Sequence, residues 1–286
     1  MKKIAILSLM SLSLFGCGSD EARPGVPPSL PSTSNPSTPP TNPPEKTYDL
    51  VSGIYTGLTS DDEPAEGLVD DNKRLWVIYS DNPTLYPDGD VLGFINSNTG
   101  IIGNNGEFSV SGKNYSYEPK GAFDITITGN YKQSKVLSGT VFDLPVNATT
   151  YELKYDKVLS DRKQTLASIT NKLFTGIAYI TGDDEAGSLD IDLSTNGNFT
   201  GEDEYGCKMN GKFTLSESKR YFNSSVTFGE SPCYAPNETL KGVALLDKDG
   251  ELIVIGTDDD RSKGVFFSGA EYNLQLKSES LLLNNQ

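Results

Sequence analysis

The chain has 286 residues, with 39 acidic against 24 basic side chains and no histidine, for a formal charge of −15. A surface this acidic is repelled by nucleic acid and by anionic lipid headgroups. The missing histidine removes Ser-His-Asp and Cys-His nucleophile systems, His-containing zinc sites and the commonest general base near neutral pH. No G-x-S-x-G, Walker loop or strand-borne G-x-G-x-x-G is present. Two carboxylates would suffice for glycoside hydrolysis, but no pair stands out among so many, and the expectation is a non-enzyme without a cofactor.

Taken in order, the chain opens with Lys2 and Lys3 and then an apolar run from Ile4 to Phe15 broken only by serines. At about twelve residues the run is shorter than the roughly 20 of a membrane-spanning helix and fits the apolar core of a signal peptide, residues 1–16. Leu14-Phe15-Gly16-Cys17 resembles the lipobox of bacterial lipoprotein precursors. The resemblance implies cleavage before Cys17, which would then carry a thioether-linked diacylglycerol and an amide-linked acyl chain such as palmitate. Each buried methylene adds about 0.8 kcal/mol, so several chains give a stable anchor where one does not. Gly18 and Ser19 follow, with no Asp directly after the Cys, which implies the outer membrane and leaves its face open. Loss of Lys2 and Lys3 would move the formal charge to −17. Residues 17–46 hold nine prolines between Pro24 and Pro44 amid Ser, Thr and Asn. With little to bury they read as an extended tether.

Beyond the tether apolar and polar side chains alternate, as in Phe123, Ile125 and Ile127, in Tyr151, Leu153 and Tyr155, in Leu189, Ile191 and Leu193, in Met209, Phe213 and Leu215, and in Phe222, Val226 and Phe228. Period two marks half-buried antiparallel strands. Turn signals punctuate them at Asn104-Asn105-Gly106, Thr195-Asn196-Gly197-Asn198, Asn210-Gly211 and Asp247-Lys248-Asp249-Gly250. Leu166, Ile169 and Leu173 predict one helix over Asp161–Leu173. That helix sits at a seam. Gly53-Ile54-Tyr55-Thr56-Gly57 leads to Asp61-Asp62-Glu63, and Phe174-Thr175-Gly176-Ile177-Ala178-Tyr179 leads to Asp183-Asp184-Glu185, about 122 residues later. The fold class is therefore all-β, with residues 47–158 and 159–278 as two small antiparallel barrels or sandwiches joined by one short helix. A single merged barrel is the alternative.

This layout resembles proteobacterial lipoproteins with a lipobox, a linker and two Gly/Thr-rich β repeats. The second repeat of such chains carries a Gly-Cys pair, a strand and a second Cys, as do Gly206-Cys207, Ser225-Val226-Thr227-Phe228 and Cys233. The resemblance implies an architecture and no activity. With Cys17 lipidated, Cys207 and Cys233 form an even pair in an oxidising compartment and read as a structural disulfide.

Asp61, Asp62 and Glu63, then Asp183, Asp184 and Glu185, then Asp258, Asp259 and Asp260 all fall where turns are expected. They are candidate partner-binding loops, with solvated turns as the plain alternative. Asp247, Asp249 and Glu251 resemble half of a calcium loop without its remaining ligand spacing, and a simple Asp-Gly hairpin explains them as well. Trp76 lies in Arg74-Leu75-Trp76-Val77-Ile78-Tyr79, where both alternating sets are apolar, and reads as core. The functional expectation is a tethered module that binds another protein, in one version an immunity protein against a toxin delivered to the envelope. A surface adhesin or host-ligand binder and a barrel carrying a small molecule are the alternatives.

Overall fold

The computed structural model describes residues 48–82, 90–132, 135–143, 147–183 and 186–272. The first eight strands are β1 Gly53–Thr59, β2 Pro64–Val69, β3 Leu75–Ser80, β4 Val91–Ser97, β5 Glu107–Ser116, β6 Gly121–Asn130, β7 Val136–Asp143 and β8 Asn147–Tyr155. Each pairs antiparallel with the next, and β1 closes on β8 through Tyr55 opposite Tyr155 and Gly57 opposite Leu153. The second eight are β9 Lys172–Ile180, β10 Gly187–Leu193, β11 Asn198–Asp203, β12 Lys208–Leu215, β13 Phe222–Phe228, β14 Thr239–Leu246, β15 Leu252–Thr257 and β16 Gly264–Glu271. They close in the same way, β16 on β9, through Phe267 opposite Ala178. The fold is thus two closed eight-stranded up-and-down barrels in tandem, not one merged sheet.

The helix is shorter than the apolar spacing predicts and lies elsewhere. α1 covers Lys157–Asp161, begun by Asp156, whose carboxylate accepts the Leu159 amide at 2.9 Å. A 3-10 turn follows at Leu166–Ser168. Leu166 and Ile169 do pack against the second barrel's core, but Leu173 belongs to β9, opposite Asp192 of β10. Spacing of three and four is shared by a single 3-10 turn entering a strand, so the pattern cannot tell the two apart.

Asn104-Asn105-Gly106 turns as expected, with Asn105 and Gly106 at φ 51° and 77°, a left-handed pair that Asn and Gly tolerate. Asn210-Gly211 does not turn, lying instead inside β12 with Gly211 opposite Phe199 of β11. A Cβ at Gly211 would come within 2.3 Å of the Phe199 ring. The glycine clears room for Phe199 to stack on Phe213 at 4.8 Å between centroids.

The two interiors differ. Barrel 2 is filled by Phe174, Phe199, Phe213, Phe222, Phe228 and Phe267 with Leu189, Ile191 and Met209. Barrel 1 is packed at one end by Leu50, Ile101, Phe108 and Tyr131, while its middle carries smaller groups such as Ala65, Val77 and Leu153. A third apolar cluster lies between the barrels. Ile54, Leu68, Trp76, Phe94 and Tyr115 from outside barrel 1 meet Tyr179, Val243, Leu245, Ile255 and Phe266 from outside barrel 2, with Leu159 of α1. This accounts for strands whose two faces are both apolar. In β3, Leu75 and Val77 face the barrel interior while Trp76 faces the neighbouring barrel. Trp76 is 4% exposed, and its indole N–H donates to the buried Asp70 carboxylate at 3.2 Å.

Polar contacts latch the same interface. The Arg261 guanidinium donates to the side-chain and backbone oxygens of Asn96 at 2.5 and 2.9 Å, and Arg220 donates to the Ser52 carbonyl at 2.9 Å. Asp71 accepts the Ser218 amide at 2.9 Å and donates its own amide to the Tyr221 hydroxyl at 3.2 Å. The Ala186 amide donates to the Tyr117 hydroxyl at 3.3 Å.

Candidate functional site

In an up-and-down barrel alternate hairpins share an end, so the β1–β2 and β5–β6 connections of barrel 1 stand with the end of β7. There the barrel opens into a cavity of about 360 Å³, within the range of small-molecule sites though near its lower limit. Its walls are Ala65, Leu75, Val77, Ile95, Ile127, Val141 and Leu153, and its mouth carries Thr59, Asp61, Glu63, Glu118, Pro119, Phe123, Asp143 and Thr149. No Lys or Arg occurs among the described lining residues.

A polar relay crosses the cavity. The Tyr79 hydroxyl donates to the Asn114 side-chain oxygen at 2.9 Å. Asn114 also hydrogen-bonds Asp143, which partly offsets the burial that pushes the Asp143 carboxyl above the usual carboxylate range. Asp143 Oδ1 is nevertheless buried without a hydrogen-bond partner among the described residues. Burial likewise raises Glu63, helped by the charges of Asp61 and Asp81 and opposed by its Thr59 hydrogen bond. The Tyr151 hydroxyl, deep in the barrel, donates to the Thr128 carbonyl at 3.1 Å and is pushed up by burial alone.

The corresponding end of barrel 2 is tied shut. Cys207, at the β11–β12 connection, is disulfide-bonded to Cys233, at the β13–β14 connection, with Cα atoms 4.5 Å apart. Both sulfur residues and Ala235 are buried in that barrel's core.

The acidic loops named from sequence separate into different roles. Asp61 and Glu63 line the barrel 1 cavity, and Asp62 turns the chain at φ 60°. Asp183 sits in the β9–β10 turn, its amide donating to the Ile180 carbonyl at 3.0 Å, while Asp184 and Glu185 lie outside the described residues. Asp258 accepts the Ser262 hydroxyl at 2.8 Å and the Lys263 amide at 2.9 Å. Asp260 accepts the Ser262 amide at 2.9 Å, and Asp259 pairs with Lys241 at 3.0 Å. That loop is thus largely held by its own contacts. Asp247 accepts the amides of Asp249 and Glu251 at 2.8 and 2.9 Å, Lys248 pairs with Asp249, and Glu251 accepts the Ser268 hydroxyl at 3.2 Å. Among the described residues no group of three or more acidic or Cys side chains is arranged to hold a metal. Glu118, in the β5–β6 turn, and Asp143, at the end of β7, are isolated acids in the sequence and form no cluster there. The lipidation candidate Cys17, the signal segment and the Pro-rich tether lie outside the described residues.

No protein-family model and no curated protein sequence matches the chain. Among solved structures, it is similar to a Bacteroides fragilis protein described as an outer membrane protein, at 15% identity over 76% of this chain and 96% of that one, with a TM-score of 0.26. It is also similar to transferrin binding protein B of serogroup B Neisseria meningitidis, at 9% identity over 73% and 66% of the two chains, TM-score 0.28. A Haemophilus parasuis transferrin binding protein B mutant matches at 8% identity over 77% and 76%, TM-score 0.25. At these scores the likeness is no evidence of a shared ligand, and the two-barrel architecture stands on the strand register alone.

Proposed function

We propose that the chain is a non-catalytic binding protein of the bacterial envelope, lipid-anchored at Cys17 in the outer membrane, that takes a small molecule into the open end of barrel 1. The observation that supports this is the contrast between two barrels of one topology. One is filled with phenylalanines and tied at its mouth, while the other keeps a cavity of about 360 Å³ bordered by Asp61, Glu63, Glu118 and Asp143. Close packing is the normal state of a protein interior, and a cavity of this size lined by inward-facing barrel residues calls for a ligand. Native mass spectrometry of protein purified from its own cells should reveal a bound small molecule that a cavity-filling Val77→Phe variant lacks. Absence of any bound mass from both, or hydrolysis of aryl glycosides by the protein, would count against the reading.

A protein partner is the second reading, favoured by Tyr205 and Tyr234, which remain 54% and 47% exposed on the two loops flanking the disulfide. Pull-down of envelope-directed toxins would test its immunity version. Proteolysis of intact cells would test the host-ligand version, which requires the outward face. Tyr205→Ser together with Tyr234→Ser should abolish either interaction and leave the cavity ligand in place.

A further inference from the structure

We propose that the barrel 1 cavity selects a small organic cation, a protonated amine carried on an apolar body. The proposal rests on the cavity being a ligand site and specifies what that site prefers. Leu75, Val77, Ile95, Ile127 and Leu153 make most of the wall apolar, so the body of the ligand must be apolar too. A volume of 360 Å³ corresponds to about a dozen water volumes, enough for roughly ten non-hydrogen atoms.

The rim sets the charge. Asp61 and Glu63 from the β1–β2 connection, Glu118 from the β5–β6 turn and Asp143 from the end of β7 border one mouth, and no cation stands among the described lining residues. Lys120, on the β5–β6 turn, lies over the Tyr117 ring, 5.6 Å from its centroid. Among the described residues no donor reaches the buried Asp143 Oδ1, an arrangement that native structures rarely leave without a purpose. An ammonium group is a compact head with three donors. It would satisfy that oxygen and offset the four carboxylates at once. A neutral head supplies one donor and no charge, and an anionic head adds repulsion. Burial holds both Glu63 and Asp143 above the usual carboxylate range, as it does for acids whose charge no nearby cation compensates.

The test uses three probes of one length, octylamine, 1-octanol and octanoate, titrated into the full purified chain at pH 7. Binding is read by calorimetry and by the methyl signals of Ile95 and Ile127. Octylamine is expected to bind at least tenfold more tightly than 1-octanol, with octanoate weakest, since a charged hydrogen bond contributes more than a neutral one. Asp143→Asn should reduce the amine's preference over 1-octanol to threefold or less. Equal binding of octylamine and 1-octanol, or tighter binding of octanoate, would overturn the charge selection and leave the cavity as a ligand site. Octylamine shifting only signals away from Ile95 and Ile127 would mean simple attraction to an acidic surface, and also overturns the proposal. If none of the three moves those methyl signals, the ligand-site reading itself falls. The wild-type series decides these outcomes even if Asp143→Asn does not fold.

Discussion

Glu66 at the interface between the barrels should make stability fall as pH rises through neutrality, and Glu66→Gln should lessen that fall. The residue is half-buried on the outer face of β2, in the crevice formed with Leu68, Trp76, Val243 and Leu245. Burial pushes its carboxyl up to about 7 from 4.5, with the charges of Asp247 and Asp156 adding to the rise and Lys248 opposing it. The folded state therefore holds a proton that the unfolded chain releases. Its contribution to stability is fully present below about pH 4.5 and is lost as pH rises through about 7. At about 1.4 kcal/mol per pH unit the change amounts to about 3 kcal/mol at most, and partial solvent access reduces this to about 1–2 kcal/mol. Urea unfolding of wild type and Glu66→Gln at pH 5, 6, 7 and 8 isolates the effect, because every other carboxylate is common to both. The variant should gain little at pH 5 and about 1–2 kcal/mol over wild type at pH 8. A difference that is flat across this range, or that favours wild type at high pH, would refute the reasoning.

Three further outcomes follow from the packing. Replacing Cys207 and Cys233 by Ser should lower stability by up to about 3.5 kcal/mol, the loop-closure value for the 26-residue separation, and leave the binding properties of barrel 1 unchanged; thermal melts with and without reductant check it. Trp76→Ala should cost about 3–5 kcal/mol, since it empties the centre of the inter-barrel cluster and takes the indole donor from buried Asp70; denaturant unfolding measures it. Gly211→Ala should destabilise by about 1–3 kcal/mol through overpacking, because its methyl would meet the Ser225 carbonyl oxygen at 2.2 Å and the Phe199 ring at 2.3 Å; denaturant unfolding measures it, and adding Phe199→Leu should relieve only the share due to the ring.

Much of the architecture is legible in the residues because barrel strands write themselves in period two. Leu189, Ile191 and Leu193 alternate with Ser188, Asp190 and Asp192, and the structure buries the first set and exposes the second. The repeat was legible too, since β1 and β9 occupy equivalent places in their barrels. The inter-barrel cluster left a fainter trace. Leu75-Trp76-Val77 and Ile253-Val254-Ile255 have no polar face, which says that both sides are covered but not by what. The cavity left none. Ala65, Val77 and Ile127 are ordinary inward residues, and the space among them depends on how eight strands close and on which side chains reach the middle. The acidic turns were visible as a class, yet nothing local distinguishes Asp61 and Glu63, which border the cavity, from Asp258 and Asp260, which brace their own loop. The helix was misplaced because three apolar residues at helical spacing fit a short 3-10 turn and the start of β9 equally well.

Closure of both sheets decides how such a molecule can be read by anything outside it. Every strand has a neighbour on each side, so the main-chain ladder is spent internally and no incoming segment can extend it. Recognition must then be written in side chains, at loop tips and in the open mouth. Those positions can be rewritten one residue at a time without disturbing a single rung of either sheet. A scaffold of this kind can change its ligand while keeping its shape.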